Sequence, residues 1–209
     1  DGLELNFYHT PGDFGKTAED IESFQLSIVE KVKSAVSLPI AVKLSYFYSN
    51  VLHFISRLDA LEVSEFVLFN RLFESDIDID DERHTIPLNL SSKGDNKLAC
   101  RYLGLLYGNV TGELCGNNGI FSGRDVVKAI LSGASSVQVV STVYKNRYGQ
   151  IREMLREIEA WMESKSYGSI DDFKGKLSEK NLDDRFVYKR AQYVDLILRS
   201  HELLDARGR

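Results

Sequence analysis

Two short stretches, PIAVKL from Pro39 and EFVLF from Glu65, carry apolar residues on both alternating faces. A strand without a polar face must be covered on both sides, which is the mark of a parallel sheet flanked by helices. The same unit recurs along the chain. Leu3–Phe7 reads as a strand, and 17–36 as a helix capped by Thr17, with Ile21, Phe24, Ile28, Val29 and Val32 at helical spacing. Asn50–Leu61 is a helix with Leu52, Ile55, Leu58 and Leu61 on one face, and Glu65–Phe69 is the third strand. The segment 70–92 is long and polar and holds a small hairpin (DIDID, then HTIPLNL). Lys93–Tyr107 is a helix, Asn109–Cys115 a strand, Gly123–Ser132 a helix and Ser136–Val140 a fifth strand. Helices over Gln150–Ser164 and Arg185–Leu204 complete the pattern.

Five βα units without a dinucleotide fingerprint predict an α/β chain forming most of a (β/α)8 TIM barrel, with additional C-terminal helices. Eight strands close such a barrel, so about three N-terminal units are expected to be missing from residues 1–209. The alternative is an open flavodoxin-like sheet, complete with five strands. At 209 residues and 43% hydrophobic, the chain suits a single domain with a sizeable core. A net charge of -5 leaves no basic stripe for nucleic acid. No apolar run approaches the ~18 residues needed to span a bilayer, so no membrane association is expected. The two cysteines, Cys100 and Cys115, have no metal-binding spacing, and a reducing cytoplasm is the expected setting. The unpaired sheet edges expected at Leu3–Phe7 and Ser136–Val140 invite association, a homodimer included.

In a barrel the chemistry sits at the C-terminal ends of the strands. Asn6 is an amide inside a strand; it either hydrogen-bonds a flat heterocycle or is satisfied by neighbouring backbone. His9, just beyond, is a candidate general base or an exposed loop residue. Lys43 is charged amid apolar neighbours and must face something anionic or electron-rich, unless it reaches solvent. Asn70 and Arg71 stand where the third strand stops, fit for an amide or anion or for plain turn chemistry. The GNNG turn before Gly123–Ser132 offers backbone N–H groups and a positive helix end to a phosphate, and Ser141 and Thr142 add donors at the next strand end. Trp161, Met162 and Leu155 read as core. The acidic run DIDIDDER lacks the Gly and terminal Glu of a calcium loop and reads as a solvated hairpin. Cys115 reads as a buried strand residue.

The stretches LELN, LPIAVKLS, FVLFNR, NNGIFSGRDVVKAILSGASSVQVVSTVY and WMESKSYGSIDDFKGKLSEKN carry a resemblance. With them, the chain resembles the dihydroorotate dehydrogenase family of FMN-dependent barrels, most closely its bacterial dihydroorotate dehydrogenase-like branch. The resemblance spans about Leu3 to Tyr193 and implies that the chain starts near barrel strand four. It implies that Lys43 contacts the flavin ring, that Asn6 contacts the flavin or the pyrimidine, that Asn70 binds the pyrimidine, and that Asn118, Gly119, Ile120, Ser141 and Thr142 hold the FMN phosphate. Two departures stand out. Asn118 replaces a glycine usual in the family and brings a side chain toward the phosphate. The loop FYHTPGDF lacks the family's catalytic Cys or Ser, leaving Tyr8 or His9 in that region. The resemblance implies oxidation of dihydroorotate, or a related small cyclic amide, by hydride transfer to flavin in pyrimidine biosynthesis. Two alternatives are a flavin-binding barrel whose dehydrogenase activity is altered or lost, and a non-flavin phosphate-binding barrel enzyme with Lys43 as a Schiff-base lysine.

Overall fold

The computed structural model describes residues 1–8 and 12–200. Its centre is a parallel sheet of β1 (Leu3–Phe7), β2 (Ile40–Leu44), β3 (Glu65–Leu68), β6 (Glu113–Gly116) and β7 (Ser136–Val137), in that spatial order. Helices α1 (Ala18–Ala35), α2 (Val51–Ala60), α3 (Asn96–Leu106) and α4 (Gly123–Ser132) connect or follow these strands. An antiparallel hairpin, β4 (Asp76–Asp78) with β5 (Arg83–Thr85), interrupts the run between β3 and α3. Helices α5 (Ser141–Asn146), α6 (Gly149–Ser164) and α7 (Ala191–Leu198) complete the described chain.

The register explains how side chains are sorted. Asn6 pairs with Lys43, Lys43 with Val67, Val67 with Cys115, and Cys115 with Ser136, so these five share one layer of one sheet face. The alternate residues Val42, Leu44, Phe66, Leu68 and Leu114 face the helices and are buried in the main core with Val29, Phe54, Ile55, Leu58 and Leu103. Capping sets the helix starts. Thr17 and Asp20 form a reciprocal capping box at α1, Asn50 accepts from His53 N at α2, and Ser122 accepts from Asp125 N at α4.

Several boundaries differ from the sequence reading. The fourth strand spans Glu113–Gly116 rather than Asn109–Cys115, because the Asp59 carboxylate accepts from the backbone N–H groups of Thr111 and Gly112 and holds them out of the ladder. The fifth strand stops at Val137, and Ser141 and Thr142 begin α5 instead of ending a strand. The final helix is shorter, Ala191–Leu198 after a 3-10 turn at Phe186–Tyr188, and the expected end at Leu204 lies outside the described residues. Phe24 is 65% exposed; α1 instead buries Glu22 and Gln25, which are held by Arg57 and the Tyr48 hydroxyl. Trp161 and Met162 pack on a second core of Ile120, Val126, Ile130, Met154 and Phe173, but Leu155 faces outward at 56% exposure.

Candidate functional site

A cleft of about 240 Å³ opens at the C-terminal ends of the strands. Asn6, Lys43, Asn70, Asn118, Gly119, Ile120 and Ser141 all line it, so residues separated by more than a hundred positions in sequence meet there. His9 lies outside the described residues. Thr142 is not part of the lining: it is fully buried in α5, and its hydroxyl accepts from Asn146 Nδ2 at 3.2 Å.

Lys43 projects from the inner face of β2, where a charge needs partners because few waters reach it. Its Nζ donates to Gln138 Oε1 at 2.9 Å and lies 4.0 Å from Glu4 Oε1. Gln138 Nε2 in turn donates to Glu4 Oε2. Beside Lys43, Asn70 Nδ2 donates to Asn6 Oδ1 at 2.7 Å, with the carbonyls of Phe7 and Lys43 at 3.3 and 3.4 Å. Asn70 is buried and therefore fixed, and it orients the strand amide of Asn6. Among the described residues, Asn6 Nδ2 and Asn70 Oδ1 have no protein partner. A donor and an acceptor side by side complement the edge of an amide.

The other end of the cleft is built from backbone. Asn118 and Gly119 both take left-handed φ, 66° and 65°, which turns the chain sharply out of β6. The side chain of Asn118 is tied back: its Nδ2 donates to the Phe69 carbonyl at 2.7 Å, and its backbone N–H donates to Asn117 Oδ1. The side chain expected to crowd a phosphate instead ties the turn to the end of β3. Among the described residues, the N–H groups of Gly119, Ile120, Val140 and Ser141 have no protein acceptor. The start of α4, by contrast, is partly filled by protein carboxylates. Asp125 Oδ2 accepts from Phe121 N and the Ser122 hydroxyl, and Glu157 Oε2 accepts from Gly123 N at 2.6 Å. Burial raises the Asp125 pKa, but the Lys128 ammonium, the Ser122 hydroxyl and the Phe121 amide together hold it below the usual carboxylate range. The helix end expected to receive an anion thus already holds two protein carboxylates, while among the described residues the N–H groups of Ser122 and Arg124 stay open there beside those of the two loops.

A strap, residues 86–92, crosses beside the cleft and is fastened on both sides. Arg71 Nε donates to Asn89 O, Nη2 to Asn89 Oδ1 and Nη1 to Asp95 Oδ2, at 2.7 to 2.8 Å. Ser91 reaches Ser141 Oγ through its N–H and its hydroxyl, and Lys145 Nζ donates to Ser91 O at 3.0 Å. Arg71 is therefore an anchor with three of its five N–H donors committed to protein acceptors. The acidic run forms the β4–β5 hairpin, with Asp78 accepting from Asp80 N, Asp81 N and Arg83.

The model of the family described as dihydroorotate dehydrogenase matches residues 3–162. The chain belongs to the dihydroorotate dehydrogenase family. It is 28% identical over 181 residues to a dihydroorotate dehydrogenase B (NAD(+)) catalytic subunit of Thermoplasma volcanium, a match covering 84% of this chain and 59% of that one. A probable dihydroorotate dehydrogenase A (fumarate) of Streptococcus pneumoniae is 40% identical over 65 residues, 31% of this chain and 21% of that protein. A fumarate-type dihydroorotate dehydrogenase of Saccharomyces bayanus is 38% identical over 66 residues, 32% of this chain and 21% of its own. The chain thus spans at most 59% of the length of these dihydroorotate dehydrogenases.

The sequence reading missed Glu4, Gln138, Asn117 and Ser91. Gln138 was findable by the signal that marked Lys43, a polar residue in an apolar run (SSVQVV). Glu4 sits two residues before Asn6 and shares its face by strand alternation. Nothing local marks Ser91, whose role depends on a partner 50 residues away.

Proposed function

We propose that the chain belongs to an FMN-dependent oxidoreductase on a (β/α)8 barrel, to which these five parallel strands contribute. It oxidises dihydroorotate or a related cyclic amide in pyrimidine biosynthesis. The observation that carries the reading is the position of Lys43: one cleft sets its ammonium among the Asn6–Asn70 amides and the loop N–H groups at Gly119, Ile120, Val140 and Ser141. That donor set fits FMN, whose dianionic tail needs several N–H donors and whose pyrimidine edge gathers negative charge on reduction. When bound, FMN supplies the hydride acceptor.

The chain's own residues then divide the remaining work. Gly119, Ile120, Val140 and Ser141 offer N–H groups to the phosphate, and Lys43 presents a fixed positive charge to the ring. Asn6 Nδ2 and Asn70 Oδ1 receive the substrate amide and set which face of its ring meets the flavin. His9, two residues beyond β1 in the sequence, takes the substrate's C5 proton in place of the missing Cys or Ser. A second reading, flavin binding with altered or lost dehydrogenase activity, is favoured by that same substitution.

The test is to purify the full-length protein, record its flavin absorbance and add dihydroorotate without oxygen. Bleaching supports the first reading. Bound flavin that stays oxidised supports the second, and protein that never holds flavin removes both.

A further inference from the structure

Lys43 projects from β2, one strand in from the β1 margin, yet the two groups that hold it come from opposite margins. Glu4 is on β1 and Gln138 lies just past β7, the first and last strands in the sheet order. In a flat sheet these strands stand four spacings apart, roughly 19 Å, beyond the reach of two such side chains. Their hydrogen bond therefore requires the sheet to curl until its margins face each other across Lys43. The three side chains form one chain of hydrogen bonds, from the Lys43 ammonium to Gln138 Oε1 and from Gln138 Nε2 to the Glu4 carboxylate. Only one orientation of the glutamine amide serves both partners, because its oxygen must accept and its nitrogen must donate. With its nitrogen committed to Glu4, the glutamine cannot turn its oxygen away from Lys43.

We infer that Gln138 is a positioning residue that fixes the Lys43 ammonium in the cleft, and that Glu4 anchors Gln138 and tempers the charge Lys43 projects. A lysine stem has four rotatable bonds and an ammonium without directional preference, so an unheld Lys43 spreads its charge over several positions. Here its side chain is 17% exposed and one of its protons is committed. The consequence for electron transfer rests on the flavin reading above; the positioning itself does not.

The experiment labels lysine Nζ with ¹⁵N in the purified protein and follows exchange of the Lys43 ammonium protons by NMR, with Lys43→Met to assign the signal. Gln138→Leu is expected to speed that exchange about tenfold or more, the effect of losing a hydrogen bond to a charged group. Gln138→Glu retains an acceptor for the ammonium but loses the donor to Glu4, so exchange falls between the parent and Gln138→Leu. Glu4→Ala frees the glutamine and gives an intermediate acceleration, which also decides the matter if Gln138→Leu does not fold. In flavin-loaded protein, Glu4→Gln raises the flavin reduction potential and Gln138→Leu lowers it. Exchange in Gln138→Leu within about twofold of the parent overturns the inference. Protein that never holds flavin refutes the proposed function instead, and the exchange rates still decide the role of Gln138.

Discussion

Replacing Gly119 by alanine tests the turn that carries half of the candidate site. Gly119 has φ of 65°, and an added Cβ would stand 2.5 Å from Asn96 N and 2.8 Å from Asp95 N. Left-handed backbone costs a residue with a Cβ roughly 1–2 kcal/mol. The overlap is with the backbone at the start of α3, which cannot swing aside like a side chain, and costs roughly 1–3 kcal/mol more. Restricting the unfolded chain returns roughly 0.4–1 kcal/mol, leaving a net loss of about 3 kcal/mol. Asn118→Gly is the internal comparator. It keeps the left-handed turn and loses only the bond from Nδ2 to Phe69 O, about 1 kcal/mol at most. Urea unfolding of the two variants beside the parent reads both values. If Gly119→Ala loses no more than Asn118→Gly, the close approach of the turn to α3 does not constrain this position.

Two further outcomes follow from the same geometry. Arg71→Met removes three hydrogen bonds to Asn89 and Asp95, so backbone amide exchange over residues 86–92 should rise at least about tenfold while the β2 and β3 amides stay protected; unchanged exchange would show that the bonds of Asn89 Nδ2, Ser91, Ser92 and Lys145 hold the strap without Arg71. Burial pushes the Cys115 thiol up to about 11 from an ordinary value of 9.0. The folded state binds this proton more tightly than the unfolded one, so its contribution to stability is full below pH 9.0 and fades as pH rises toward 11. Cys115→Ala should therefore flatten the loss of stability over that interval, and in the parent Cys115 should resist thiol reagents near neutral pH until the chain unfolds.

The sheet could be read from the sequence because β2 and β3 are apolar on both faces, a pattern with few structural solutions. The helix starts at Thr17 and Gly123 were readable, and in the structure each has a local cap, Thr17 and Ser122. The ends of β6 and β7 were not, because they depend on Asp59 reaching Thr111 and on the chain entering α5. For the site, an out-of-place polar residue such as Lys43 or Asn6 announced itself, but its partners did not. The link between Gln138 and Glu4 spans 134 residues and exists only once the sheet has curled. The same limit applies to Phe24: its spacing fits an apolar helix face, whereas the contacts that bury Glu22 and Gln25 come from α2 and the loop before it.

The carboxylates of Asp125 and Glu157 at the start of α4 bear on what happens when a ligand departs. Many anion sites leave a helix with bare amides each time they empty, so that holding the guest and keeping the scaffold intact become one task. Here Asp125 of α4 and Glu157 of α6 occupy part of that helix start without a visitor. The bond from Gly123 N to Glu157 also ties this end of α4 to α6, so the packing of the two helices has a fastening that does not depend on the cleft.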